Sequence, residues 1–257
     1  MKGNIVVITG ASGGIGTALA ETFSQRGAVT VLAGRSVEAM RELAARLPGP
    51  ADVVGLDVTS EASVADAVRG IVQRHGRIDV WINNAGYGAF KAFADTGMDE
   101  FAGMMDVNFF GTVRCTRAVL PHMLERGSGH IVNIASMAGK VGTAKSAAYT
   151  ASKFAVRGFT QSLRMELRGT GVRVSAVNPG PVRTAFFQLA DPSGRYLQSL
   201  PPWLLLAPEQ VAAAVLKTVS RNLPAADLPR SADWAARIYQ LFPRLLEPVA
   251  HRLLNRK

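Results

Sequence analysis

Two periodicities alternate along the chain. Short runs that are apolar throughout, rich in β-branched residues, fall at 5–9, 29–33, 53–56, 80–83, 130–134 and 172–177. Between them lie longer stretches with helical spacing, near 14–26, 36–47, 60–75, 98–126 and 149–169. Runs without alternation predict strands buried on both faces, which is the signature of a parallel sheet covered by helices. Strand followed by helix, repeated with right-handed crossovers, predicts an α/β fold with a doubly wound parallel sheet. No linker-like stretch interrupts the chain, so a single domain over 1–257 is expected.

The pattern breaks after Val177. Residues 179–208 carry Pro179, Pro181, Pro192, Pro201, Pro202 and Pro208, which predicts a long loop of the kind that closes over a site. A helix is expected near 208–221, a short extended piece near 224–229 and helix again from about 231. The extended piece brings the sheet to about seven strands. The chain then divides into a core over 4–185, a lid and last-strand region over 185–230 and a C-terminal helical extension over 231–257.

Composition narrows the class. The chain is 48% hydrophobic and 19% charged, enough for a sizeable core and too little charge for disorder. Its single cysteine, Cys115, cannot close an intrachain disulfide, which excludes a disulfide-stapled secreted fold. The apolar run at 5–8 is too short for a signal-peptide core, and no uncharged apolar stretch reaches the roughly 18 residues of a spanning helix. A cytoplasmic protein is expected. The formal net charge of +10 would suit nucleic acid, a membrane surface or an anionic ligand. The basic residues are dispersed, however, so no nucleic-acid partner is expected. His75, His122, His130 and His251 lack metal-ligand spacing, and no metal site is expected.

Candidate chemistry begins at the first strand–helix junction, Thr9-Gly10-Ala11-Ser12-Gly13-Gly14-Ile15-Gly16. Glycines let backbone approach a pyrophosphate, and a helix N-terminus offers unpaired N–H groups and a positive dipole end. The second strand ends Leu32-Ala33-Gly34-Arg35-Ser36, with no carboxylate to bond a ribose 2′-hydroxyl. Arg35 offers a planar fork suited to a 2′-phosphate, which favours NADP(H) over NAD. A solvated surface arginine is the alternative.

Further elements follow in order: Leu56-Asp57-Val58, Asn83-Asn84-Ala85-Gly86, Asp106-Val107-Asn108, Ile134-Ala135-Ser136, Tyr149 with Lys153, and Asn178-Pro179-Gly180-Pro181-Val182-Arg183-Thr184. With the glycine turn, and in this spacing, residues 4 to 185 resemble the short-chain dehydrogenase/reductase family. The resemblance implies a Rossmann fold. It also implies a cofactor-binding set of Gly10, Ser12, Gly13, Gly14, Ile15 and Gly16 at the turn and Arg35, Asp57 and Val58 about the adenosine. Asn84, Ala85 and Gly86 follow, then Pro179, Gly180, Val182 and Thr184 around the nicotinamide, with Tyr149 and Lys153 at its ribose. The implied catalytic set is Asn108, Ser136, Tyr149 and Lys153.

The chemistry of that set is ordinary acid–base chemistry. Tyr149 and Lys153 are four residues apart and share a helix face. A tyrosine ionises near pH 10, and a neighbouring ammonium, with the positive nicotinamide of the oxidised cofactor, favours the phenolate. Tyr149 would then give a proton to a carbonyl oxygen or take one from an alcohol. Ser136 would hydrogen-bond the substrate oxygen as charge develops. Asn108 would hold a water in the proton path from Lys153.

On the substrate side, 185–206 is rich in large apolar residues, including Phe186, Phe187, Leu189, Tyr196, Trp203 and Leu204. The matching region in the family closes over the substrate, which implies an apolar ketone, aldehyde or secondary alcohol held by Ser136, Tyr149, Phe186 and Phe187. Tyr87, Phe90 and Phe93 would add one wall. Packing of the lid onto the body is the alternative for all these aromatics. Two rival functions are a 3-oxoacyl-thioester reductase acting on an acidic acyl carrier, and a cofactor-binding module without turnover. The family also implies a homodimer or homotetramer built on the two long helices. In the tail, Phe242, Leu245, Leu246, Val249 and Leu253 share a helical stripe, and 221–257 carries a net positive charge. A helix packed on the body or on a partner subunit is the favoured reading, and contact with an anionic membrane surface is the alternative.

Overall fold

The apolar runs become strands: β1 (Ile5–Thr9), β2 (Val29–Gly34), β3 (Ala51–Gly55), β4 (Val80–Asn83), β5 (Gly129–Ile134), β6 (Val172–Pro179) and β7 (Ala225–Leu228). The structure is a computed structural model. It describes residues 1–254, except for the side chains of Ser199 and of 249–254. The seven strands form one parallel sheet in the order β3-β2-β1-β4-β5-β6-β7. The order reverses between β1 and β4, the point at which such sheets open a crevice beyond their C-terminal ends.

The helices are α1 (Gly14–Gln25), α2 (Val37–Arg46), α3 (Glu61–His75), α4 (Met98–Met105), α5 (Gly111–Arg126), α6 (Ala147–Glu166), α7 (Phe186–Ala190), α8 (Arg195–Ser199), α9 (Pro208–Arg221), α10 (Arg230–Leu241) and α11 (Pro243–Leu254). Alternate residues of β1 serve the two faces of the sheet. Val6 and Ile8 pack with Leu19 and Phe23 of α1, Met40 of α2 and Val215 of α9. Ile5 and Val7 pack with Val68 of α3, Cys115 and Val119 of α5 and Leu163 of α6. This two-sided burial is why the strands read as unbroken apolar runs. A buried polar chain crosses the second layer. The Trp81 indole donates to Asn83 Oδ1, Asn83 Nδ2 to Asn133 Oδ1 and Asn133 Nδ2 to Thr160 Oγ1, each at 2.8 Å. It fixes α6 against β4 and β5.

Three expectations change. The helix expected over 98–126 is two helices joined by a π-helical turn at Asp106–Phe110. Such turns widen a helix and redirect a side chain, and here the redirected side chain is Asn108. The long loop is partly helical, through α7, α8 and a 3₁₀ turn at Pro202–Leu204. Its ends are stapled, since Leu206 N–H donates to Pro181 O at 2.8 Å and Arg183 N–H to Leu206 O at 2.9 Å. The C-terminal helix breaks at Phe242, where Pro243 starts α11 because proline suits a first helical turn but not a helix interior. The expected stripe therefore does not run along one helix. Phe242 and Leu245 are exposed, Leu246 is partly buried, and the side chains of Val249 and Leu253 lie outside the described residues.

Candidate active site

Beyond the C-terminal ends of the strands lies one cavity of about 1040 Å³. The glycine turn forms one end. Gly10 has φ +64°, and a Cβ there would sit 2.9 Å from Ala85 Cα. A Cβ on Gly14 would sit 2.6 Å from Thr184 Cγ2, so a side chain at Gly10 would press on the Asn84–Ala85 segment and one at Gly14 on the 179–184 segment. Helix α1 starts from Gly13, which has no side chain to cap it. Its first-turn N–H groups thus face the cavity end without a side-chain acceptor, the arrangement that suits a phosphate. Asn84 braces the turn from below: its Nδ2 donates to Thr9 O at 2.9 Å and Gly10 O at 3.2 Å. The residues present fit a dinucleotide cofactor.

Arg35 is exposed at the end of β2 and lines the cavity with Gly34, Ser36, Asp57 and Val58. Asp57 builds its own loop, accepting from Thr59 N–H at 2.9 Å and Thr59 Oγ1 at 2.7 Å. Those bonds hold its carboxyl below the usual range, with the Arg35 charge contributing.

Three side chains meet at the middle of the cavity. Ser136 follows β5 in extended backbone and is buried; its Oγ accepts from Ala138 N–H at 3.1 Å and donates to Pro179 O at 3.4 Å. Tyr149 and Lys153 lie one turn apart on α6. Lys153 is 5% exposed, its Nζ donates to Ile134 O at 2.9 Å and it stands 5.7 Å from the centre of the Tyr149 ring. Burial pushes the Tyr149 phenol up to about 12, against the Ser136 hydrogen bond that lowers it, and pushes the Lys153 ammonium down to about 8. Among the protein's own groups, desolvation is the largest influence on the phenol.

Asn108 does not line the cavity. Its Oδ1 accepts from Tyr87 N–H at 2.9 Å, and its Nδ2 donates to Tyr87 O at 2.9 Å and Ser152 Oγ at 3.0 Å. The side chain is hydrogen-bonded to the Tyr87 main chain and to Ser152, which makes it a brace beneath the Gly86–Tyr87 peptide. Gly86 fits between it and the lysine; a Cβ there would lie 2.9 Å from Asn108 Oδ1 and 3.5 Å from Lys153 Nζ.

The far end is aromatic. Phe90 is the hub, with ring centres 6.1 Å from Tyr149, 6.5 Å from Phe186, 5.9 Å from Phe187 and 5.3 Å from Tyr196. Tyr87, Leu189, Leu200, Trp203 and Leu204 add to the lining. Phe93 does not: it is exposed and packs on Phe101. Sequence reasoning missed the last wall, made by Ala232, Ala235, Ala236, Ile238 and Tyr239 of α10 and Leu246 of α11. The available signal was two of the three acids of a mainly basic tail, Asp227 and Asp233; both prove to be held by buried ion pairs.

Residues 4–193 match the family model described as short chain dehydrogenase. The chain belongs to the short-chain dehydrogenase family. An uncharacterized oxidoreductase of Staphylococcus epidermidis is 40% identical over 191 residues, covering 74% of this chain and 83% of the relative. The closed form of a serine dehydrogenase, solved with NADP+, is 33% identical with a TM-score of 0.81, over 87% of this chain and 94% of that one. A 3-ketoacyl-(acyl-carrier-protein) reductase from Brucella melitensis, solved with NADH, is 29% identical with a TM-score of 0.82, over 88% and 97%. In this short-chain dehydrogenase the family match stops within the lid, so α8, α9, β7, α10 and α11 stand outside it.

Proposed function

We propose that this short-chain dehydrogenase is an NADP(H)-dependent oxidoreductase acting on an apolar ketone, aldehyde or secondary alcohol, with Tyr149 as general acid/base. The observation that carries the reading is the meeting of Ser136, Tyr149 and the buried Lys153 on the wall of a cavity whose one end is the glycine cradle. A nicotinamide cofactor held there would supply or accept the hydride. The chain's own residues do the rest.

The cradle of Gly10, Ser12, Gly13, Gly14, Ile15 and Gly16 receives the pyrophosphate. Arg35 reads the 2′-phosphate, with Asp57 and Val58 beside the adenosine. Asn84, Ala85 and Gly86 support the cradle from β4, and Pro179, Gly180, Val182 and Thr184 close the nicotinamide end. Ser136 and Tyr149 both point a hydroxyl at the substrate oxygen. A phenol pushed up to about 12 keeps its proton at neutral pH, which suits a donor in the reductive direction. The buried Lys153 ammonium then stabilises the phenolate left behind, and Asn108 holds the Tyr87 peptide in place. Phe186 and Phe187, with Phe90, present an aromatic surface to the substrate's apolar body. Exposed Phe110 of the π turn, Leu124 on α5 and Phe154 on α6 offer the face of a homodimer or homotetramer.

An NADPH-oxidation screen over short and bulky ketones, aldehydes and acyl thioesters tests the proposal. Turnover of free carbonyls that Tyr149→Phe abolishes is the expected result. Turnover confined to 3-oxoacyl thioesters, the substrate class of the Brucella neighbour, would move the assignment to that reaction. NADPH binding with no turnover across the panel would contradict both.

A further inference from the structure

Lys140 is a buried cation, 8% exposed, that does not line the cavity. It ends the short turn after Ser136. Its Nζ is paired with Asp227 Oδ1 at 2.6 Å on β7 and with Asp233 on α10. Asn178 Nδ2 donates to the same Asp227 oxygen at 2.8 Å, and Arg237 Nε to Asp233 Oδ2 at 2.9 Å. Gln240 of α10 donates to Lys140 O at 2.7 Å. Two of the three acids in the tail are thus spent on one lysine next to the serine turn. The turn itself is held independently of these contacts: Arg157 of α6 donates to Gly139 O, and a Cβ on Gly139 would lie 2.6 Å from Lys153 O.

Helix α10 contributes Ala232, Ala235, Ala236 and Tyr239 to the cavity wall, yet few side chains bury it. Its buried residues are Asp233 and Ala236, while Trp234, Ile238 and Leu241 are exposed. One buried alanine supplies little hydrophobic anchorage, so the ion cluster is what places the helix. Buried charges of this kind fix geometry more than they add stability, and removing one partner leaves the others uncompensated.

We propose that Lys140 is a positioning residue that fastens α10 over the substrate end of the cavity and thereby sets how large a substrate is held. This rests on the cavity being the substrate chamber proposed above. The prediction is selective. Lys140→Met frees α10 while the serine turn, Tyr149 and the glycine cradle stay in place. The KM for a bicyclic ketone that reaches the α10 wall rises about tenfold or more, whereas KM for a short aldehyde, kcat for that aldehyde and the Kd for NADPH change less than about threefold. Lys140→Arg keeps the cation and restores most of the difference. Hydrogen exchange supplies a readout without turnover: amides over 231–241 exchange faster in Lys140→Met, and those over 10–16 and 147–166 do not. Should Lys140→Met fail to fold, Gln240→Ala and Arg237→Gln, at the edge of the cluster, give the same pattern in smaller measure. Unchanged exchange over 231–241, or an equal KM rise for both substrates, overturns the proposal. If the wild type turns over no carbonyl at all, the functional reading fails, and the exchange measurement still decides whether Lys140 holds the helix.

Discussion

The Lys153 ammonium donates to the main-chain carbonyl of Ile134 at 2.9 Å, two residues before Ser136. One contact therefore sets the distance between the helix that carries Tyr149 and the strand that ends in the serine. It also gives a buried cation a full acceptor, without which its desolvation would cost several kcal/mol. The lysine's position is a property of the folded chain and does not wait for a ligand.

Cofactor choice should follow Arg35. A charge-assisted hydrogen bond contributes about 1.5–3 kcal/mol, so Arg35→Ala should lower kcat/KM for NADPH about 10- to 100-fold and leave NADH nearly unchanged. Steady-state kinetics with the two cofactors check this. A wild-type enzyme that uses NADH as well as NADPH would remove the basis for the assignment.

The two reaction directions should have opposite pH dependences. Reduction needs Tyr149 protonated and Lys153 charged. The phenol holds its proton to about 12, but the ammonium is lost as pH rises through about 8. Reductive kcat/KM is therefore flat through neutrality and falls above about pH 8. Oxidation needs the phenol's proton removed and rises over the same range. Initial rates from pH 6 to 10 in both directions test the signs; a reductive rate that climbs with pH would be incompatible.

The fold was legible because burial on both faces of a parallel sheet writes continuous apolar runs into the chain. The glycine turn, Ser136, Tyr149 and Lys153 were legible because their spacing places them at strand ends and on one helix face. Asn108 was placed but its contacts were not, since a π turn cannot be told from ordinary helix by periodicity. The α10 wall was invisible for a different reason. Its helical spacing was plain, but which surface it covers depends on the pairing of Lys140 with Asp233, 93 positions apart, and no local pattern encodes that.

Stability should fall in mild acid through His130. Its Nε2 lies 2.8 Å from Ser175 Oγ, and that hydroxyl donates to Leu223 O, so the imidazole is the donor and needs no second proton. Burial, aided by the Arg173 charge, pushes its pKa down to about 4 from a usual 6.5. The unfolded chain takes up the proton first, so the contribution is complete above pH 6.5 and is lost as pH falls towards 4, up to about 3 kcal/mol. Urea midpoints of wild type and His130→Gln at pH 7 and 4.5 check it: the wild type should lose more than the variant. Equal losses would show that His130 is not the group responsible.

The central claim is proton transfer by one phenol, and Tyr149→Phe measures it directly. The ring remains to pack against Phe90 and Phe186, so the variant should fold and bind NADPH with an unchanged Kd. Single-turnover reduction of the best carbonyl substrate should slow by at least about 10²- to 10⁴-fold, the usual contribution of a positioned acid. A Tyr149→Phe enzyme that reduces the substrate within a few-fold of wild type would contradict the account.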